Sequence, residues 1–199
     1  MIANLFRQSL AGLRVLLVLT VVFGLAYPLV ITGVAQVVFR DQANGSRAEV
    51  GGTVVGSTLL GQTFDGDEWF QPRPSAAGYD ALASGGTNLG PESQELVESI
   101  VALKAEIAAR DGVAPDEVPA DAVTSSGSGL DPHISPDYAR IQVDRVARER
   151  GLDVDHVRAL VEAHVQSRAA GFLGAARVNV LELNIALASL ANALPRPPR

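Results

Sequence analysis

Hydrophobic and polar positions divide this chain into one long apolar run and a series of shorter, punctuated patterns. From Val15 to Phe39, VLLVLTVVFGLAYPLVITGVAQVVF, 25 consecutive residues carry no charge. At about 1.5 Å rise per residue such a helix reaches about 37 Å, enough to cross a bilayer with some tilt. The run predicts one transmembrane helix over residues 15–39, preceded by a short N-terminus, residues 1–14. Pro28 lacks the amide that would bond the Gly24 carbonyl, which predicts a kink near Gly24. Gly24 and Gly33 offer small surfaces to a neighbouring helix, although nine residues apart they form no GxxxG motif. A cleaved signal peptide would have an apolar core of only about 7–15 residues and a small-x-small site after it. Neither fits here, and without cysteine a lipoprotein anchor is excluded.

Beyond the run the patterns are shorter. Residues 41–49 read as a polar connector. Val50 to Phe64, VGGTVVGSTLLGQTF, is rich in β-branched residues between glycines and predicts one or two short strands. Glu68–Gln71 is a candidate for another strand before the extended Pro72-Arg73-Pro74. Gly78–Gly90 has loop chemistry and is long for a mere connection. Leu96, Ile100, Leu103 and Ile107 then recur at helical spacing, with Pro91 suited to the first turn and Asp111-Gly112 to the end. After a second loop, TSSGSGLDPHIS, Ser135 caps a helix with Pro136 at its first position, predicted to run to Arg150 and stop at Gly151. Asp153 caps the next helix, which turns Val157, Leu160 and Val161 inward and ends near Gly171. Val178–Leu194 predicts a last helix, followed by a disordered tail, residues 195–199. The fold class expected is α+β: one N-terminal transmembrane helix, then a single helix-dominant domain over residues 40–194 with a small sheet.

Charge narrows the partners. Residues 1–14 hold Arg7 and Arg14 and no acid, which leaves 14 basic and 22 acidic residues in the rest of the chain, a formal charge of −8. A surface of that sign does not suit nucleic acid and would attract cations. With no cysteine there can be no disulfide framework, thiol nucleophile or thiolate metal site. Arg7, Arg14 and the amino terminus flank one end of the span and Arg40 and Arg47 the other. The arginine count is tied, and the terminal amine with the absence of acids favours an inside N-terminus and an extracytoplasmic domain.

Candidate chemistry is sparse. His156 and His164, eight residues apart on one helix, stand about 12 Å apart, too far to share a metal ion, and His133 follows a proline. Ser125, Ser126 and Ser128 lie on a glycine-rich loop but lack the Gly-x-Ser-x-Gly elbow of a serine hydrolase. Ser84-Gly85-Gly86 and the second loop resemble backbone-amide nests, and Ser135 opens a helix N-terminus suited to an anion. The only lysine is Lys104, so no Walker motif exists. The residue-level reading is of two rigid docking loops, built from Ser84, Gly85, Gly86 and Asn88 and from Ser126, Gly127, Ser128, Gly129, Asp131, His133 and Ser135. A membrane-anchored extracytoplasmic serine hydrolase and a freestanding binding module stand as alternatives.

Taken in order, GSTLLGQTF (56–64), WFQPRPSA (69–76), SGGTNLGP (84–91), SGSGLDPHISPDYARIQ (126–142), RVARERG (145–151) and GFLGAARVNVLELN (171–184) closely resemble the KdpC family, the small C subunits of bacterial potassium-importing Kdp P-type ATPases. The resemblance runs from the span to Asn184. One departure is Ala175-Ala176, where the family usually has Glu-Pro. The resemblance implies a non-catalytic subunit of an ATP-driven potassium import complex, anchored in the bacterial inner membrane with its domain on the periplasmic side. Its partners would be a potassium-channel-like subunit, a P-type subunit that hydrolyses ATP, a small single-span subunit and membrane lipid. The family is also described as a catalytic chaperone that raises the ATP affinity of the hydrolysing subunit, with a glutamine matching Gln142 in contact with nucleotide. No cofactor is expected to bind independently, and ATP only together with the hydrolysing subunit. A cytoplasmic nucleotide and an extracytoplasmic Gln142 conflict, and the residue's setting on a helix reads instead as a surface or capping position.

Overall fold

The computed structural model describes residues 2–193. The chain divides into two compact units that meet between Ser46 and Arg47. In the first unit the apolar run belongs to a longer helix than its composition predicts, Ile2–Val38, the one helix among the described residues long and apolar enough to cross a membrane. Residues 2–14 join it because nothing in IANLFRQSLAGLR breaks a helix. It comprises α1 (Ile2–Val21), a π-helical turn (Val22–Ala26) and α2 (Tyr27–Val38). In the π turn the Tyr27 amide reaches back to the Val22 carbonyl, so the disruption predicted from Pro28 takes the form of a widened turn around Gly24. Phe39 leaves the helix at φ −130°, ψ 50°, and a short α3 (Arg40–Ala43) occupies part of what reads as a featureless connector.

The second unit opens with an antiparallel hairpin, β1 (Arg47–Val50) and β2 (Thr53–Ser57), turning on Gly51 and Gly52, both at positive φ. Its first strand starts before the β-branched stretch, inside the connector, and its second lies within that stretch. Residues 58–93 contain no helix or strand, so Glu68–Gln71 is not the strand expected. Helix α4 (Gln94–Asp111) starts three residues after Pro91 and ends on Gly112 at φ 72°, whose amide bonds the Ala108 carbonyl. Ile107 and Ala108 are its buried apolar contacts, while Leu96 stands only half-buried. A single 3-10 turn (Pro115–Glu117) leads to α5 (Ala120–Val123).

The expected helix from Ser135 to Arg150 is interrupted. It forms as α6 (Pro136–Ile141) and α7 (Val143–Arg150), joined at Gln142. Ser135 caps it as predicted, its Oγ accepting from the Tyr138 amide at 3.0 Å, and Gly151 closes α7 at φ 64°. Asp153 caps α8 (Val154–Ala163) by accepting from the Asp155 and His156 amides at 2.9 and 3.1 Å. That helix ends at Ala163, short of Gly171. Residues 166–177 instead fold back on themselves, with Gln166 and Arg177 exchanging both backbone hydrogen bonds. Ala175 and Ala176 lie in this hairpin. The last apolar segment begins as a strand: β4 (Val178–Asn179) pairs antiparallel with β3 (His133–Ile134), and α9 (Val180–Ala193) follows. The tail from residue 195 lies outside the described residues.

The core of this α+β unit gathers Tyr138, Val143 and Val146 from α6 and α7, Val157 and Val161 from α8, and Leu183 and Leu187 from α9, around Phe70. Each buried Val or Leu contributes roughly 1.5–3 kcal/mol.

Candidate functional site

The two loops singled out from sequence meet. Gly85 donates its amide to the Ser128 carbonyl at 2.9 Å, and the Ser84 hydroxyl bonds the same oxygen at 3.0 Å. Gly86 lies so close to Gly127 that a Cβ there would stand 3.2 Å from the Gly127 carbonyl oxygen. At Gly129 the demand is stricter: φ is +68° and a Cβ would meet the Gly85 oxygen at 2.7 Å. Glycine at these places therefore lets two backbones run in contact. Asn88, at φ 55°, bonds the Gly86 carbonyl through its side chain at 3.1 Å. Gly127 and Ser128 are exposed, Ser126 is buried with its Oγ 3.5 Å from that of Ser128, and β3 carries His133 onward toward Ser135.

A third segment, Pro72–Tyr79, secures the pair and was not marked as part of it by residue type. Arg73 bonds Asp131 at 3.0 Å and the Thr124 carbonyl at 3.2 Å. Ser75 donates to the Gly129 carbonyl at 2.6 Å and accepts from the Tyr79 amide at 3.0 Å, while the Tyr79 hydroxyl bonds the Arg73 carbonyl. Burial pushes the Tyr79 phenol well above its ordinary range. Asp131 also accepts from the His133 amide at 3.0 Å. The hydrogen bond with the His133 side chain, then the His133 amide and the Arg73 guanidinium, hold the Asp131 carboxyl below its ordinary value against the opposing effect of burial. Prolines at 72 and 74 on either side of Arg73 were the only sequence sign that this arginine is held in one place. Beside it lies a recess of about 380 Å³ between this segment and α4, into whose lining Tyr79, Ile107, Arg110 and Tyr138 project.

Several of the amides expected to form open anion nests are used inside the domain: Gly85 donates to the Ser128 carbonyl and Gly129 to that of Ser126. Ser135 at the start of α6 donates its amide and its hydroxyl to the two oxygens of Asp121, each at 2.7 Å, so a carboxylate of the chain itself occupies that helix N-terminus. None of the bonds made by the three histidines reaches a serine of the loop: His133 lies 3.4 Å from Asp131, His156 3.7 Å from Asp153, and His164 bonds the Leu160 carbonyl.

Gln142 is not at the surface. Its side chain is fully buried, and each donor and acceptor it owns is engaged. Oε1 accepts from the Gln71 amide at 2.6 Å and from Arg145 at 2.8 Å; Nε2 donates to the carbonyls of Gln71 and Tyr138, each at 3.2 Å. Of the surface or capping position expected for it, the cap holds and the surface does not: Gln142 ends α6 and opens α7, and there its side chain bonds the segment before Pro72. Arg145 beside it is 1% exposed; its Nε bonds Asp111 at 2.5 Å and its Nη1 bonds the carbonyls of Asp67 and Trp69. Asp111, fully buried, is shared with Arg110 at 2.9 Å.

The described residues thus define a protein with one span-length apolar helix and a small α+β domain that carries a pair of interlocked, glycine-built loops. Residues 9–189 match the family model described as KdpC: K+-transporting ATPase, c chain. Potassium-transporting ATPase KdpC subunits from Kineococcus radiotolerans, Streptomyces coelicolor and Koribacter versatilis are 54%, 48% and 49% identical to it. These alignments cover 96%, 95% and 91% of this chain and 97%, 95% and 94% of the relatives. The chain belongs to the KdpC family.

Proposed function

We propose that this chain is the accessory, non-catalytic C subunit of an ATP-driven potassium importer. It is anchored in the bacterial inner membrane by the helix Ile2–Val38, and its interlocked loops dock a partner subunit on the periplasmic side. Family membership supports the potassium-transport role, and the loop pair is the single observation that carries the docking role. Its backbones are fixed by glycine packing and by the Arg73–Asp131 pair, yet Ser84, Asn88, Gly127 and Ser128 remain exposed. The partners are the channel-like subunit, the P-type subunit that hydrolyses ATP and the small single-span subunit. Asp131 and Asp137 are less suited to drawing in potassium, because Asp131 is committed to Arg73 and His133, and Asp137 is paired with Arg140 at 2.9 Å. Docking is therefore the better-supported use of the surface.

Since the chain has no cysteine, a single cysteine replacing Ser128 reports both sidedness and contact. A membrane-impermeant thiol reagent is expected to label it from outside intact cells when the chain is expressed alone, and more slowly by at least tenfold when its partners are co-expressed. Labelling only in inverted vesicles would refute the periplasmic placement. Equal labelling with and without partners would refute docking through these loops.

A further inference from the structure

We infer that Gln142 is a positioning residue for the docking loops rather than a nucleotide contact. This rests on the docking reading above. Residues 66–75 belong to no sheet, and side chains rather than a neighbouring strand bond the backbone of residues 66–71. Asn184 of α9 accepts from the Phe70 amide and donates to the Phe70 carbonyl, both at 3.0 Å. Gln142 does the same for Gln71, the very next residue. Each carboxamide therefore imitates one rung of a β-ladder, and because successive residues of an extended chain point their polar groups to opposite sides, the two grip the strap from two helices. Arg145 adds bonds to the carbonyls of Asp67 and Trp69, and Arg150 of α7 bonds the Glu68 carbonyl at 2.7 Å while its guanidinium lies 4.0 Å from the centre of the Trp69 ring.

The strap leads to the loops with little freedom left between. Gln71 is followed by Pro72, and the next residue is Arg73, whose guanidinium holds Asp131 and Thr124. Two residues of extended chain span only about 7 Å, and both prolines fix φ. A displacement at Gln71 is thus delivered to the Arg73–Asp131 pair and, through Ser75, to Gly129. A nucleotide, by contrast, would have to displace the bonds to Gln71, Tyr138 and Arg145 from a side chain with no exposed surface.

The test is hydrogen exchange by mass spectrometry on the full chain in detergent, for Gln142→Met and, separately, Asn184→Ala. Both are expected to speed exchange across residues 69–75 at least tenfold while α4 and α8 keep their protection; uniform acceleration, or none, would overturn the clamp. Asn184→Ala is the arm to read if Gln142→Met fails to fold. In complexes assembled with each variant, the KM for ATP should stay within twofold of the parent, and thiol labelling of the Ser128→Cys background should lose its protection by partners. A KM for ATP raised severalfold by Gln142→Met and not by Asn184→Ala would overturn the proposal in favour of nucleotide contact. Loosening of the strap without any change at position 128 would overturn the link to the loops. If position 128 is never protected in the parent, it is the docking reading that fails, and the exchange result for the strap stands independently.

Discussion

Replacing Arg145 by methionine should cost this domain far more than any surface arginine would. Methionine retains most of the side-chain volume but removes the bond to Asp111 and the donors to Asp67, Trp69 and Gln142. Breaking a buried ion pair from one side typically costs about 3–5 kcal/mol, because the remaining charge has lost its counterion. Here Arg110 still holds Asp111, which draws the electrostatic part toward about 3 kcal/mol. Two backbone carbonyls and the Gln142 oxygen each lose a donor, adding roughly 1 kcal/mol for the best-buried of them. A total of roughly 3–5 kcal/mol corresponds to a fall in Tm of about 6–20 °C for a domain of this size. Trp69, the chain's only tryptophan, lies on the strap that Arg145 holds, so its fluorescence during urea unfolding of the full chain in detergent measures the change directly. Arg140→Ala is the comparison: its pairs with Asp137 and Glu162 are exposed and screened by solvent, so their loss should barely move the unfolding midpoint. Arg145→Lys should recover only part of the loss, since a single ammonium cannot replace a planar fork that serves a carboxylate, carbonyls and an amide at once. An Arg145→Met chain as stable as Arg140→Ala to within about 1 kcal/mol would refute the assignment of Arg145 as the central tie of the domain.

Two further outcomes follow from the loops. Gly129→Ala should destabilise the domain by about 2 kcal/mol or more, since it combines a left-handed backbone with contact against the Gly85 oxygen, whereas Gly127→Ala, with open space at its Cβ, should stay within about 0.5 kcal/mol; thermal melts of the two variants compare them directly. Asp131, whose carboxyl is held below its ordinary value, stabilises the folded state fully above the unfolded pKa and loses that contribution as pH falls through the folded one. Urea unfolding between about pH 4 and pH 2 should therefore show a steeper loss for the parent than for Asp131→Asn, and parallel slopes would refute it.

What could be read from sequence was whatever has a local cause. Ser135, Asp153, Gly112 and Gly151 mark helix ends through their own side-chain or backbone chemistry, and the structure uses each of them so. The α+β class and the span followed from hydrophobic periodicity and run length. The pairing of β3 with β4 could not be read, because two residues are too few to show alternation and their partners lie 46 positions away, His133 against Asn179. The break at Gln142 and the strap at 66–75 were hidden for a related reason: their hydrogen bonds run between a side chain and a distant backbone, as from Asn184 to Phe70, and leave no periodic trace. The docking loops were recognisable from their glycine and serine content, yet Arg73, Ser75 and Asp121, which hold them, look ordinary in sequence. A basic residue fixed between two prolines was the one usable signal.

The π turn at Val22–Ala26 has a consequence for how the span can be read by a neighbour. A turn that closes on the fifth residue rather than the fourth accommodates one residue more than a regular helix, and one residue is about 100° of rotation. The stripe that begins on the Arg14 side is therefore not continued by the stripe carrying Gly33; the helix presents two half-length faces set at an angle. A straight helix laid along either face can therefore follow it over only half the length of the span.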